Sequence, residues 1–158
     1  IIFMDEAIYR FSYVGSPLFF QLDKISTIGC FAGGSVVEDN GTSYYLAKDG
    51  FYMTDGNAVT AIGAGKVDEW FFANAKIKDV VTMSTTVNPI EKLIVWNFED
   101  KFGKRQNLIY HTETGRWSRC ETDATSVGAV ATLGTTLTLV PPATAPLSAT
   151  AVATPSAP

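Results

Sequence analysis

The chain is poor in the residues from which most metal and redox sites are built. Its 158 residues include one histidine, His111, and two cysteines, Cys30 and Cys120, which lie far apart and outside any Cys-x-x-Cys pair. This spacing argues against a zinc knuckle and against a thioredoxin-type redox motif. We expect both cysteines to be small buried hydrophobic residues, and one disulfide between them is the open alternative in an oxidising compartment.

Positive charge and long apolar runs are also scarce. Twelve Lys and Arg stand against sixteen Asp and Glu, which gives a net charge of −4. Binding nucleic acid mainly through its phosphates requires clustered positive charge, so the composition argues against such a partner, and we predict no sequence-specific nucleic-acid binding. No apolar run approaches the roughly 18 residues that span a bilayer, so we predict no membrane partner either.

Helical periodicity is almost absent, although hydrophobic residues make up 46% of the chain and aromatics 12%, enough to form a core. Segments rich in Val, Ile, Phe, Tyr and Thr recur instead, each closed by turn residues. The pattern predicts an all-β chain of consecutive antiparallel hairpins. The strands are predicted at 7–14, 18–25, 34–38, 43–47, 51–54, 58–62, 79–87, 92–99, 106–111, 116–121 and 126–134.

Two local signals are specific. Asp39-Asn40-Gly41 contains the Asn-Gly pair that suits a tight hairpin turn. In the segment 67–75, acidic residues come early and apolar ones follow, which predicts one short helical turn.

The two halves of the strand region resemble each other. Three strand segments between 44 and 62 have a looser counterpart between 94 and 120, at an offset of about fifty to sixty residues, which indicates a degenerate repeat of a four-stranded meander. Runs such as Leu93-Ile94-Val95-Trp96 do not alternate with polar residues, so both faces of these strands are expected to be covered. Antiparallel meanders covered on both sides are typical of radially stacked blades, and the first prediction is therefore a β-propeller.

A closed propeller takes about four or more blades, and this chain supplies about two and a half to three. We therefore predict an incomplete set of four-stranded meanders in residues 1–133, with about two full blades and partial ones. The missing blades would come from further sequence or from other subunits, and a smaller repeating sandwich is the alternative. The opening Ile1-Ile2-Phe3 carries no initiator Met, so we expect a fragment of a longer polypeptide.

Residues 134–158 have a different composition. Thr, Ala, Pro and Val dominate, while aromatic and charged residues are missing. Such a segment builds no core, and we predict a linker or an extended arm that lies on a neighbouring subunit.

No catalytic, cofactor-binding or metal-binding residues are predicted. His111 closes a strand beside a turn and is expected to be hydrogen-bonded there. The adjacent acidic pairs 5–6, 68–69 and 99–100 do not suit glycoside hydrolysis, because neighbouring side chains on a strand point to opposite faces. Gly63-Ala64-Gly65-Lys66 lacks the remaining residues of a phosphate-binding loop and is interpreted as a connector.

The aromatic residues allow two interpretations. Trp70, Trp96 and Trp117, together with several tyrosines, could form platforms for stacking sugars. At strand positions they more often fill the space between sheets, and we favour this core role.

Four segments together resemble the blades of virion propellers from tailed bacteriophages, of the packaged-DNA stabilisation and tail-hub type. They are the residues 7–20 (Ala-Ile-Tyr-Arg-Phe-Ser-Tyr-Val-Gly-Ser-Pro-Leu-Phe-Phe), 45–56 (Tyr-Leu-Ala-Lys-Asp-Gly-Phe-Tyr-Met-Thr-Asp-Gly), 67–72 (Val-Asp-Glu-Trp-Phe-Phe) and 108–118 (Leu-Ile-Tyr-His-Thr-Glu-Thr-Gly-Arg-Trp-Ser). The similarity covers roughly residues 6–121 and is one of blade style, since other propellers also use aromatic-Gly-x-Trp endings.

The resemblance implies a non-enzymatic structural protein of the virion, assembled in the host cytoplasm. Copies would form an oligomeric ring at the neck or tail, contact other virion proteins, and help to retain DNA or connect head and tail. The family has no catalytic residues to transfer. The alternatives are a carbohydrate-binding propeller or sandwich of a receptor-binding tail part and, less favoured, a glycoside hydrolase.

Overall fold

A computed structural model describes residues 1–130 and 136–140, and it consists mostly of antiparallel β-sheets. The strands follow one another along the chain in hairpins. They are β1 (Ile2–Met4), β2 (Ala7–Tyr13), β3 (Phe20–Ser26), β4 (Val37–Asp39), β5 (Thr42–Leu46), β6 (Phe51–Thr54), β7 (Val59–Ala61), β8 (Ser84–Asn88), β9 (Leu93–Glu99), β10 (Arg105–His111), β11 (Arg116–Thr122), β12 (Ser126–Val130) and β13 (Thr136–Val140).

Each sheet pairs strands that are neighbours in sequence. Sheet I contains β1, β2 and β3 in that order, sheet II contains β4 to β7, and sheet III contains β8 to β11. Strands β12 and β13 form a separate two-stranded sheet. The prediction of antiparallel four-stranded meanders is thus confirmed for sheets II and III.

The Asn-Gly signal lies at the turn between β4 and β5. Asp39 pairs directly with Thr42, so Asn40 and Gly41 alone form the turn. Their φ angles are 49° and 78°, as a two-residue hairpin turn with two left-handed positions requires. The tight hairpin predicted at this position is confirmed.

Sheets II and III pack face to face through their aromatic side chains. Tyr44, Leu46 and Phe51 of sheet II belong to the same buried cluster as Trp96 and Leu108 of sheet III. The ring centroids of Phe51 and Trp96 lie 5.0 Å apart. The main core of the protein is therefore the space between these two sheets.

Sheet I covers the opposite face of sheet II. Tyr45 and Ala47 alternate with the side chains that face sheet III, and they are buried in a second cluster with Ile8 of β2 and Cys30. The rings of Phe3 and Tyr45 lie 5.3 Å apart. Sheet II therefore lies between two other sheets, and its strand β5 is buried on both faces.

The far face of sheet III is partly covered by the segment that includes β12. The side-chain amide of Asn97 donates to the carbonyl of Ala124 at 3.3 Å, and the amide N–H of Val127 donates to Ser84 Oγ at 3.1 Å. As a result Val95 and Asn97 are buried on this face, while Trp96 between them is buried on the other. The covered faces expected from the unbroken apolar run are confirmed for β9.

The short helix predicted at 67–75 is present as α1 (Asp68–Asn74). Its residue Phe71 is completely buried and contacts Phe51 and Phe98 with ring centroids about 5 Å apart. The helix thus closes one edge of the space between sheets II and III.

Several local predictions were wrong. A 3-10 helix (Ile77–Thr82) occupies the start of the strand predicted at 79–87. Another (Gly33–Ser35) occupies the start of the strand predicted at 34–38. The side chain of Val80 is buried in the main core, and its carbonyl accepts the N–H of Met83 at 3.0 Å. A tight turn, and not a strand, thus places Val80 in the core. Strand β1 was not predicted.

The cysteines also differ from expectation. Both are free thiols, Cys30 is buried as predicted, and Cys120 is exposed. Cys120 lies on β11, whose outward positions are mostly polar and exposed.

The proposed division at 133/134 stays a prediction. Strand β13 lies inside the segment predicted as an arm and pairs with β12 from Val130↔Thr136 to Ser126↔Val140. The rest of that segment, 134–135 and 141–158, and the end of the strand predicted at 126–134 fall outside the described residues.

Candidate functional site

The acidic pair 99–100 is divided between two structural roles. Glu99 forms an ion pair with Lys76 at 2.9 Å. Asp100 Oδ1 accepts the backbone N–H groups of Phe102 and Lys104, both at 2.9 Å, and so holds the loop between β9 and β10. Burial alone would raise the pKa of Asp100, but these hydrogen bonds outweigh it and lower the pKa below its usual value. The pair offers no acid and base facing one substrate.

The pair 68–69 is divided in the same way. Asp68 Oδ1 accepts the N–H of Phe51 at 3.1 Å, which ties the start of α1 to the start of β6. A Cβ atom built on Gly50 or Gly63 would collide with this carboxylate, so both glycines make room for it. Burial raises the pKa of Asp68. Glu69 is exposed, so the two carboxylates do not form one site.

The third pair, 5–6, lies at a depression of about 460 Å³ between sheets I and II. Glu6 forms an exposed ion pair with Lys48 at 3.2 Å. Asp49, on the same rim, accepts the hydroxyl of Tyr52 at 2.8 Å. Burial, followed by this hydrogen bond, raises the pKa of Tyr52 to about 12. The depression carries charges of both signs, and one opposite pair, Glu6 and Lys48, is already in contact.

The histidine and the glycine-rich segment have the local roles expected for them. His111 ends β10, and its Nδ1 accepts the N–H of Thr114 at 3.3 Å. The carbonyl of Gly63 accepts the N–H groups of Lys66, Val67 and Asp68, which makes the segment a connector into α1.

The tryptophans belong mainly to the core. Trp96 is completely buried and donates its indole N–H to the carbonyl of Ser35 at 2.9 Å. Trp117 is partly buried and donates to the carbonyl of Ile62 at 3.1 Å. Trp70 packs against the main cluster, and the guanidinium of Arg119 lies 4.5 Å from its ring centre. The favoured core role of these rings is confirmed.

The structure reveals one surface that the sequence reasoning did not single out. On sheet I, Phe11 lies opposite Leu22 and Tyr13 lies opposite Phe20, on the face that points away from sheet II. Phe11, Tyr13 and Leu22 are 54%, 70% and 51% exposed. We call this surface the aromatic face. It consists of Phe11, Tyr13, Phe20 and Leu22, together with Ile2 and Met4 of β1, which lie on the same side through the pairs Ile2↔Tyr9 and Met4↔Ala7 and are 39% and 48% exposed.

The side chains of the aromatic face contact one another. The rings of Phe11 and Phe20 stack with centroids 4.9 Å apart, and Tyr13 meets Phe20 edge to face at 5.6 Å. The loop to β3 is closed by a hydrogen bond from Val14 N to the carbonyl of Phe19 at 3.0 Å. The signal was present in the alternation Tyr9-x-Phe11-x-Tyr13, but sequence alone does not tell a covered face from an open one.

Within residues 1–130 and 136–140, no cluster of three or more His, Cys, Asp or Glu side chains could hold a metal ion. In the same part of the chain, no helix has the length and apolar character needed to cross a membrane.

No protein-family model matches the chain, and no curated protein matches it.

Proposed function

We propose that this chain is a non-enzymatic structural component of a tailed-bacteriophage particle, built from propeller-type blades. The observation that carries the proposal is the placement of sheet II, a four-stranded antiparallel meander with sheet I on one face and sheet III on the other. Radially stacked blades have this arrangement, whereas a two-sheet sandwich leaves the outer face of each sheet in water. The blade-like segments within residues 6–121 add their resemblance to it.

The role would be mechanical. Stacked sheets with interlocked aromatic rings form a rigid platform, because close-packed interiors deform little. Copies arranged as a ring at the neck or tail would multiply weak contacts into a stable connection to other virion proteins. Such a ring would retain DNA or connect head and tail.

The placement of the carboxylates supports a non-catalytic role. Asp68 and Asp100 accept backbone N–H groups, and Glu99 is paired with Lys76. Each of these groups serves the fold at its own position. Retaining and inverting glycosidases both need two carboxyl groups flanking one bond, roughly 5 to 9.5 Å apart across an open cleft.

The test is to follow the chain into particles. A tagged copy would be produced during growth of the phage whose genome encodes it, and particles would be purified on a density gradient. We expect the tagged chain in the particles at several copies each, and particles made without it should lose DNA or lack tails. Its absence from purified particles of normal composition would refute the proposal.

A glycan array separates this role from carbohydrate binding. We expect no selective binding, because Trp96 is enclosed and Trp117 and Trp70 pack against the core. Tight, selective binding of one glycan class by the isolated chain would favour a receptor-binding role.

A further inference from the structure

The aromatic face is about as large as the largest apolar patch of a typical monomer, and such patches are often functional. With roughly 200 Å² for an aromatic side chain and somewhat less for Leu, Ile and Met, its six residues expose about 600 Å². The largest apolar patch on a typical monomer is about 300–600 Å². A standard protein–protein interface takes about 800 Å² from each partner. The face alone thus supplies most of one side of a stable interface.

The chemistry of the face identifies its partner as another apolar sheet surface. None of its six residues is charged, and the ion pair of Arg10 and Asp23 uses the opposite side of β2 and β3. Arg10 there also donates to Asn57 Oδ1 at 2.7 Å, in the turn after β6. On the exposed side, Lys24 lies beyond Leu22 at the rim, and it pairs in register with Tyr9. The hydroxyl of Tyr13 is the single polar side-chain group among these six residues, so a charged or strongly polar partner would find few hydrogen-bonding groups on this face.

The described residues offer one surface of matching chemistry, which is the same face on a second copy. The other exposed large apolar side chains are Ile1, which lies near Gly56, three residues around the loop between β2 and β3 (Val14, Leu18 and Phe19), and the single residues Ile77, Ile90 and Phe102. They form no second apolar sheet face in this part of the chain. A self-complementary patch produces a two-fold contact, and an uncharged centre avoids placing like charges opposite each other.

We propose that two copies of this chain pair through their aromatic faces, sheet I against sheet I. Twisted sheets pack about 10 Å apart with strand directions within about 30° of each other, and the stacked rings of Phe11 and Phe20 would interdigitate with those of the partner. The pairing gives sheet I the second cover that sheet II has within one chain. The proposal does not rest on the role in a virion.

The test is the molar mass of the full chain, measured by light scattering during size-exclusion chromatography across a micromolar dilution series. We expect a dimer for the wild type. Leu22→Lys places two positive charges at the contact, and Phe11→Thr with Phe20→Thr removes apolar area while keeping strand propensity. Each variant should weaken self-association by about a hundredfold or more and run as a monomer.

The matched control is Phe102→Thr, which removes a phenylalanine that is 82% exposed at a turn outside the aromatic face. It should leave the dimer unchanged, and tryptophan fluorescence of every variant should remain that of the folded protein. A monomeric wild type throughout the series overturns the proposal without bearing on the assay of phage particles. A dimer that survives in either aromatic-face variant also overturns it.

Discussion

Strands β2 and β9 have the same length but different surroundings. Both contain seven residues and several large apolar side chains. In β9 five consecutive residues are buried, because sheet II covers one face and the segment around β12 covers part of the other. In β2 the face that carries Phe11 and Tyr13 has no neighbouring sheet among residues 1–130 and 136–140. Burial in this protein thus depends on the next sheet in the stack, and the apolar content of a strand does not reveal whether that sheet is present.

The largest difference should appear when one ring is removed from each environment. Trp96→Ala deletes a completely buried side chain and leaves its cavity in the main core, so we expect a loss of about 3–5 kcal/mol in unfolding free energy. Phe11→Ala on the aromatic face should cost less than about 1 kcal/mol in dilute monomeric protein. Urea denaturation followed by fluorescence and circular dichroism measures both. Equal losses would mean that β2 and β9 have similar environments.

A smaller contrast concerns two carboxylates. Asp68→Ala leaves the N–H of Phe51 without its acceptor at a partly buried position. We expect the free energy of unfolding to fall by about 1–3 kcal/mol. Asp23→Ala on sheet I removes an ion pair whose partners are 35% and 43% exposed, and should cost less than about 1 kcal/mol.

Asp68→Asn is the control for the first variant, because an amide oxygen can still accept the N–H of Phe51. It should recover much of the loss at a pH where aspartate is charged. A loss for Asp68→Asn as large as that for Asp68→Ala would contradict the role of the acceptor.

The far face of sheet III permits a stabilising change. Thr86 is buried there, and its Oγ1 has no hydrogen-bond partner among the described residues. Thr86→Val replaces the hydroxyl by a methyl group of similar volume, and we expect a gain of up to about 1 kcal/mol. Thr85→Val is a suitable comparison, since the Thr85 hydroxyl donates to the carbonyl of Gly34 at 2.8 Å and its removal should destabilise the protein. A loss of stability in Thr86→Val would indicate that the hydroxyl is satisfied.

Two aspartates should give pH dependences of opposite sign. Burial raises the pKa of Asp68 in the folded protein above the ordinary value of 3.8. The effect of Asp68 on the free energy of unfolding is therefore most favourable below pH 3.8, and this advantage is lost as the pH rises through the folded pKa. The folded pKa of Asp100 is lowered, so its contribution is full above 3.8 and is lost as the pH falls through the folded pKa.

Denaturation of the wild type, Asp68→Asn and Asp100→Asn between about pH 7 and about pH 2.5 separates the two effects. Relative to Asp68→Asn, the wild type should gain stability as the pH falls. Relative to Asp100→Asn, it should lose stability at the acid end. The same sign for both comparisons would contradict one of the two assignments.

The sequence was most informative where a local rule has a local cause. Asn40-Gly41 predicted its hairpin because few other residues adopt two successive left-handed conformations. The run Leu93–Trp96 predicted cover on both faces, because a strand lacks alternating polar residues when both of its faces are shielded from water. The early acidic residues of α1 also predicted its position.

Prediction failed where a distant contact decides the conformation. The β-branched run after Asp79 favours a strand, yet a 3-10 helix forms there and buries Val80 against the core. Strand β1 is three residues long and forms by pairing with β2. The composition of three residues does not indicate this pairing. The aromatic face was missed because apolar and polar residues alternate along a strand in the same way whether or not another sheet covers its apolar face.

The most direct test of the stacked-sheet arrangement is a double-mutant cycle between Phe51 on sheet II and Trp96 on sheet III. Their ring centroids lie 5.0 Å apart although the residues are distant in sequence. Unfolding free energies of Phe51→Leu, Trp96→Phe and the double variant should show a coupling of about 0.5–1.5 kcal/mol, while Phe11→Leu combined with Trp96→Phe should be additive. Additive effects of Phe51 and Trp96 would contradict the packing of sheet II against sheet III.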